Sequence, residues 1–210
     1  MKIILVRQAE TDMQWESACD AASFTRAVRA AMSRGAAPVS VRRSDAARYR
    51  VYTGTARASA ETAELLFELA EPPVRTPLLD DVPLRAFRDT QKALPLGLWR
   101  AMGGVQWALG SSRQAETRKQ TLDRARQFLA LIEGEDRDCV VVSGGLTLLA
   151  LKALLRRRGY CIEGGGLRPE PLERIRATKQ SLHCGGCHQN CLLSEAKCPT
   201  GRNKAKERRV

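Results

Sequence analysis

The sequence predicts an α/β domain, a mainly parallel sheet with helices on both faces, carrying a short cysteine-rich tail. Three observations predict it. Ile3 to Val6 and Cys139 to Val142 are unbroken apolar runs rich in β-branched residues, and strands that do not alternate apolar with polar are those buried on both faces. Segments of helical period lie between and after these runs, the order expected when helices cover a parallel sheet. Beyond about residue 180 the apolar periodicity stops, and four cysteines crowd between Cys184 and Cys198.

Taken in order, Ile3 to Val6 is the first strand and ends in the polar cluster Arg7-Gln8-Ala9-Glu10-Thr11. A polar cluster at the carboxyl end of a buried strand is where open α/β sheets bind ligands. Phe24, Val28 and Met32 recur at spacing four, which predicts a helix over 23–33 with Ser23 as its cap. Arg50 to Thr53 reads as a short strand, and Ala56 to Ala70 as a helix ended by Pro72-Pro73. Trp99 and Trp107 are eight residues apart on one helical face and read as core, with Gly103-Gly104 weakening that helix. Arg113 to Glu133 is a long helix capped by Gly134, and Leu146 to Arg158 an apolar helix with a basic end, stopped by Gly159.

Length and charge bound the rest. A chain of 210 residues with 43% apolar content supports one ordinary core and a short appendage. We divide it into a domain over 1–179 and a tail over 180–210. Its net charge of +12 favours anionic partners, with a solvated basic surface as the alternative. Met1 to Val6 is too short for a signal-peptide core, and no stretch nears the ~20 apolar residues of a spanning helix, so the expectation is a cytoplasmic protein without a membrane role.

Four motifs then occur in sequence. They are Val6-Arg7-Gln8-Ala9-Glu10-Thr11; Thr53-Gly-Thr-Ala-Arg57-Ala-Ser-Ala-Glu-Thr62-Ala63; Leu79-Asp80-Asp81-Val82-Pro83; and Val140-Val-Val-Ser143-Gly144-Gly145. Together, over roughly 1–175, they resemble the histidine phosphatase superfamily, the phosphoglycerate-mutase-like fold. The resemblance implies phosphate-binding arginines at Arg7 and Arg57, with Thr53 nearby, and places Asp81 where the family has a proton-donating Glu. It also shows two departures. Gln8 stands at the position of the phosphorylated histidine, and Gly144 at that of the second histidine. A carboxamide cannot carry a phosphoryl group as a covalent intermediate, whereas an imidazole can. The chain has two histidines, His183 and His188, both in the tail. What remains is a binding half: Arg7, Gln8, Thr53, Arg57 and the backbone near Gly144 as donors to an anion. The alternatives are that the arginines serve ion pairs and that Asp81 is a turn residue before Pro83.

The tail reads Cys184-x2-Cys187-x3-Cys191-x6-Cys198. Four thiolates this close can surround one tetrahedral ion, and such a coreless segment would draw its folding energy from the metal. Zinc is the first expectation and an iron–sulfur cluster the alternative. Cys19, Cys139 and Cys161 read as packing residues. After Pro199 the tail is basic, which suits contact with nucleic-acid phosphates or a protein, or simply a solvated end. The expected function is therefore catalytically inactive binding or sensing of a phosphorylated or acidic small ligand. The rivals are an active phosphatase or phosphomutase using unusual groups, and a nucleic-acid or protein adaptor acting through the tail.

Overall fold

The structure is a computed structural model, and it describes residues 1–166 and 169–179. The cysteine cluster, both histidines and the basic end lie outside the described residues. Ten strands are formed among those described: β1 (Lys2–Arg7), β2 (Ala18–Cys19), β3 (Ser44–Asp45), β4 (Arg50–Thr53), β5 (Phe67–Glu68), β6 (Val74–Arg75), β7 (Leu94–Pro95), β8 (Cys139–Ser143), β9 (Tyr160–Glu163) and β10 (Arg174–Lys179). The helices are α1 (Ala21–Ser33), α2 (Arg57–Leu66), α3 (Leu96–Ala108), α4 (Arg118–Glu135) and α5 (Gly145–Arg157).

Six strands make the central sheet, in the order β6-β4-β8-β1-β10-β9. The pairs β6–β4, β4–β8 and β8–β1 are parallel, while β10 runs antiparallel to both β1 and β9. The apolar runs become the two central strands because they alone can be covered twice. Ile3, Leu5, Tyr52 and Val141 pack with α4 and α5 through Phe128, Leu129, Ile132, Leu148 and Leu151. Ile4, Val6, Val51, Val140 and Val142 face the other layer, with Ala63 and Leu66 of α2. A third, smaller cluster joins Phe24 of α1, Trp99 of α3, Cys19 and Ala86. There the Phe24 and Trp99 rings stack at 5.5 Å, and the Trp99 indole donates to the Cys19 carbonyl at 2.9 Å. Both tryptophans are buried, and α3 runs unbroken through Gly103-Gly104.

Several boundaries differ from the expectation, each for a physical reason. α1 starts two residues before Ser23, and Asp20 is its cap, its carboxylate accepting from the Ser23 amide at 2.7 Å. α2 ends at Leu66 rather than Ala70, because Phe67 turns extended, pairs with Ser44 and is buried in the second core. Burial of a phenylalanine outweighs one further turn of helix propensity. α4 begins at Arg118, where Thr117 and Gln120 form a reciprocal capping box; such a box satisfies two otherwise orphaned donors. Gly134 lies inside α4, and Asp136 closes it in a left-handed conformation, φ 43°. Cys19 and Cys139 are buried, and Cys161 is half-buried. Among the described residues no helix is long and apolar enough to cross a membrane.

Candidate anion-binding site

Three parallel strands, β4, β8 and β1, end side by side. In register, Thr53 lies opposite Val142, and Arg7 opposite Ser143. Side chains at these last positions are carried to one end of the sheet by the apolar runs before them, which leaves the polar groups at the rim of the core. Arg7 is partly exposed; its guanidinium donates to the Pro169 carbonyl at 2.5 Å and lies 3.6 Å from the Glu10 carboxylate. The Gln8 amide N–H donates to the Ser143 carbonyl at 3.0 Å. The Gln8 side-chain oxygen accepts from the Ser59 hydroxyl on α2, and the carboxamide NH2 is its donor end. The Ala9 amide donates to the Thr62 hydroxyl at 3.0 Å, and Thr62 in turn donates to the Ala58 carbonyl at 2.6 Å. One face of the first turns of α2 therefore fastens the loop that follows β1.

Thr53 is fully buried, and its hydroxyl has no hydrogen-bond partner among the described residues. Arg57 stands apart. Its side chain is 71% exposed and pairs with Glu61 at 2.5 Å, one helical turn away. Glu61 also accepts from the Ala36 amide at 2.7 Å. The structure thus brings Arg7, Gln8, Thr53 and Gly144 to the strand ends, and commits the Arg57 guanidinium to Glu61.

The segment 77–81 crosses the same end of the sheet and is tied down at many points. The Ser143 hydroxyl donates to the Leu79 carbonyl at 2.6 Å, and the Thr147 hydroxyl to the Asp80 carbonyl at 2.8 Å. Arg124 of α4 donates to the carbonyls of Pro77, Leu78 and Asp80, each at 3.0 Å, and pairs with Glu116 at 2.9 Å. Thr55 donates through its backbone and hydroxyl to the Asp80 carboxylate. The segment lies so close to β4 that a Cβ on Gly54 would sit 3.0 Å from the Leu79 carbonyl.

This anchoring delivers Asp81 to the start of α5. A Cβ on Gly144 would fall inside the Asp81 carboxyl group. Gly144 itself has ordinary extended backbone, φ −76° and ψ 169°, so the glycine is demanded by space and not by conformation. The two residues fit as a pair, with the carboxyl occupying the volume that any side chain at 144 would need. Burial of Asp81 pushes its carboxyl above the ordinary value of 3.8. The amides of Val82, Thr147 and Leu146 and the Arg7 guanidinium oppose that shift without cancelling it. One carboxyl oxygen, Oδ1, is buried with no hydrogen-bond partner among the described residues. Asp81 is therefore more than a turn residue before Pro83: it is the carboxyl group of the site, set among backbone donors of α5 and near Arg7, with burial favouring its neutral form.

Sequence reasoning found the residues at the strand ends but missed Ser59, Thr147 and Arg124 as their supports. Ser59 sits inside a quoted motif, and its position one turn before Thr62 was the available signal. Arg124 acts across more than forty residues of chain on 77–80, and no local pattern announces it. Among the described residues no cluster of histidine, cysteine or carboxylate groups is suited to a metal ion.

No family model matches the chain, and no curated protein matches it. Solved structures do. One is a mycobacterial glucosyl-3-phosphoglycerate phosphatase, 16% identical over 74% of this chain and 79% of that one, with a TM-score of 0.44. TTHB049 from Thermus thermophilus is 17% identical over 84% and 92%, with a TM-score of 0.45. A phosphoserine phosphatase from Entamoeba histolytica, in complex with phosphoserine, is 12% identical over 74% and 80%, with a TM-score of 0.44. The functional reading rests on the site's own residues.

Proposed function

We propose that this protein binds a phosphorylated or acidic small molecule at the carboxyl ends of β1, β4 and β8 and does not transfer its phosphoryl group. The observation that carries the reading is the state of Gln8. Its oxygen is engaged by Ser59, its carboxamide NH2 retains the capacity to donate, and no imidazole occurs before residue 183. A donor pair of guanidinium and carboxamide recognises an anion, while a carboxamide offers no lone pair able to form a phosphoenzyme. Asp81 sets the terms of binding. Ionised, it competes for the donors at the start of α5; protonated, it releases them and can itself donate to a ligand oxygen.

The test has two arms on the full chain. In the first, p-nitrophenyl phosphate is offered as substrate; the expected turnover is at background, and turnover near one per second that survives Gln8→Ala overturns the reading. In the second, orthophosphate binding is followed by calorimetry over a series of pH values upward from 4. Binding is expected to weaken as pH rises through the Asp81 titration and to be lost in Arg7→Ala. Equal affinity in that variant overturns the site.

The tail is the second part of the reading. Its support is the spacing of Cys184, Cys187, Cys191 and Cys198, which suits one zinc ion or, alternatively, an iron–sulfur cluster. Metal analysis of anaerobically purified protein tests it: about one zinc per colourless chain, or iron with a broad visible absorption, supports the site, and neither metal removes it.

A further inference from the structure

A second positively charged feature lies away from the strand ends. A cleft of about 770 Å³ opens between the start of α1 and the segment 85–91, and none of Arg7, Gln8, Thr53, Arg57, Asp81 or Gly144 lines it. Four arginines do: Arg26 and Arg29 from α1, Arg85 from the segment after Pro83, and Arg113 from the turn before α4. Arg26 and Arg29 are three apart and so share one helix face. Residues from three separate stretches of chain are thus drawn to one opening.

The charges inside are only partly balanced by the protein: Asp20 attracts Arg26 and Asp89 pairs with Arg113, which leaves two arginines over. The two lining carboxylates are Asp20 and Asp89. Asp20 is occupied in capping α1 through the Ser23 amide. Asp89 pairs with Arg113 at the rim, where its side chain is 91% exposed. Arg26 donates to the Ser23 hydroxyl at 3.0 Å, and Arg113 also donates to the Ala86 carbonyl at 3.0 Å. Arg29 and Arg85 make neither an ion pair nor a side-chain hydrogen bond among the described residues. Guanidinium groups held near one another repel, and an unpaired fork is the element that recognises phosphate or carboxylate in two-point fashion.

The cleft is also held in shape. Gln114, only 4% exposed, accepts from the Arg85 amide at 2.9 Å and donates to the Arg85 carbonyl at 3.1 Å. The Ala21 amide donates to the Thr90 carbonyl at 3.2 Å, joining the two walls. Beneath them Trp99 packs against both Phe24 and Phe87, with ring centroids 5.5 and 4.8 Å apart. A site whose walls are fixed before binding loses less ordering entropy when it binds. No aromatic residue lines the cleft, so a stacked base has no platform there. The volume falls in the range of small-molecule sites, roughly 300–1,000 Å³.

We propose that this cleft is a binding site for a compact small molecule carrying two or more phosphate or carboxylate groups, separate from the site at the strand ends. The probes are tripolyphosphate and citrate, titrated by calorimetry into the full chain at low ionic strength. One of them is expected to bind saturably, and which one decides between phosphate and carboxylate recognition. Arg29→Ala with Arg85→Ala should weaken that binding at least tenfold. Both side chains are exposed, and an unchanged melting temperature will show that the fold is intact. The Arg29→Lys, Arg85→Lys pair should also weaken it several-fold, since an ammonium cannot form the two-point contact. Arg7→Ala should leave it within twofold, which separates this site from the one proposed above. Absence of saturable binding by either probe, full affinity in the alanine pair, or full affinity in the lysine pair would each overturn the proposal; the last reduces it to diffuse positive charge.

Discussion

The strand-end site and the arginine cleft treat positive charge in opposite ways. At the strand ends the protein supplies its own carboxyl group: Asp81 sits near Arg7 and the first amides of α5, and Gly144 is bare to make room for it. Around the cleft the carboxylates are occupied by a helix cap and a rim pair, and Arg29 and Arg85 have no partner among the described residues. A buried charge must be neutralised by protonation, by a partner or by a ligand, because leaving it alone costs several kcal/mol. Exposed guanidinium groups face a far smaller penalty and can wait for a ligand. The difference teaches that the conspicuous motif residues belong to a tightly packed, self-countered end of the molecule. The arginines gathered at the cleft lie where no motif pointed.

The strongest way to break this contrast is to refill position 144. Gly144→His drives a side chain into the Asp81 carboxyl, and the surrounding segment cannot retreat because Ser143, Thr147 and Arg124 hold it. The expected loss is upwards of ~3 kcal/mol, measured by urea unfolding. Pairing the change with Asp81→Gly should recover more than half of that loss; strict additivity of the two would show that they do not share one volume.

Removing the anchor comes next. Arg124→Ala leaves the carbonyls of Pro77, Leu78 and Asp80 without their donor and Glu116 without its partner. Because Arg124 is about a quarter exposed, water replaces part of what is lost, and the cost should be about 2 kcal/mol. The same variant should increase hydrogen exchange at 78–82. No such increase would show that Arg124 does not hold the segment.

A smaller effect, of opposite sign, is expected at Asp81. Its carboxyl is raised above 3.8, so the native state holds that proton more tightly than the unfolded chain does. The contribution of Asp81 to stability is then fully present below pH 3.8 and is lost as pH rises through the folded-state value. Asp81→Asn removes this penalty. It should be near neutral at pH 3.5 and become stabilising as pH rises through the folded-state value; a difference that does not change with pH would show that the carboxyl is not raised. The smallest effect belongs to Arg57→Ala, which breaks one exposed pair within a helix. It should cost less than about 0.5 kcal/mol and fade in 0.5 M salt.

Much of this molecule is legible in its sequence because the physics behind those features is local. Ile3–Val6 and Cys139–Val142 name the central strands, since residues apolar on both alternating faces need cover on both sides. The polar residues that follow them identify Arg7, Gln8 and Gly144 as rim residues, and the end of the Arg50–Thr53 strand adds Thr53. The absence of histidine before residue 183 can be counted directly. What escaped the sequence depends on groups far apart in the chain. Helix α2 stops at Leu66 because Phe67 finds Ser44 and the second core, a pairing that no property of residues 56–70 encodes. Asp20 takes the cap that Ser23 was expected to provide, because a carboxylate three residues back reaches the free amide. The meeting of Asp81 with Gly144 joins residues sixty-three apart, and the cleft joins arginines from α1, the 85–91 segment and the turn before α4. The sequence by itself determined which side chains are chemically able to bind an anion, since that follows from their functional groups. Only the tertiary structure decided which of those groups are already countered by a carboxylate and which are not, since Coulomb energies and steric exclusion depend on distances that close only when the chain has folded.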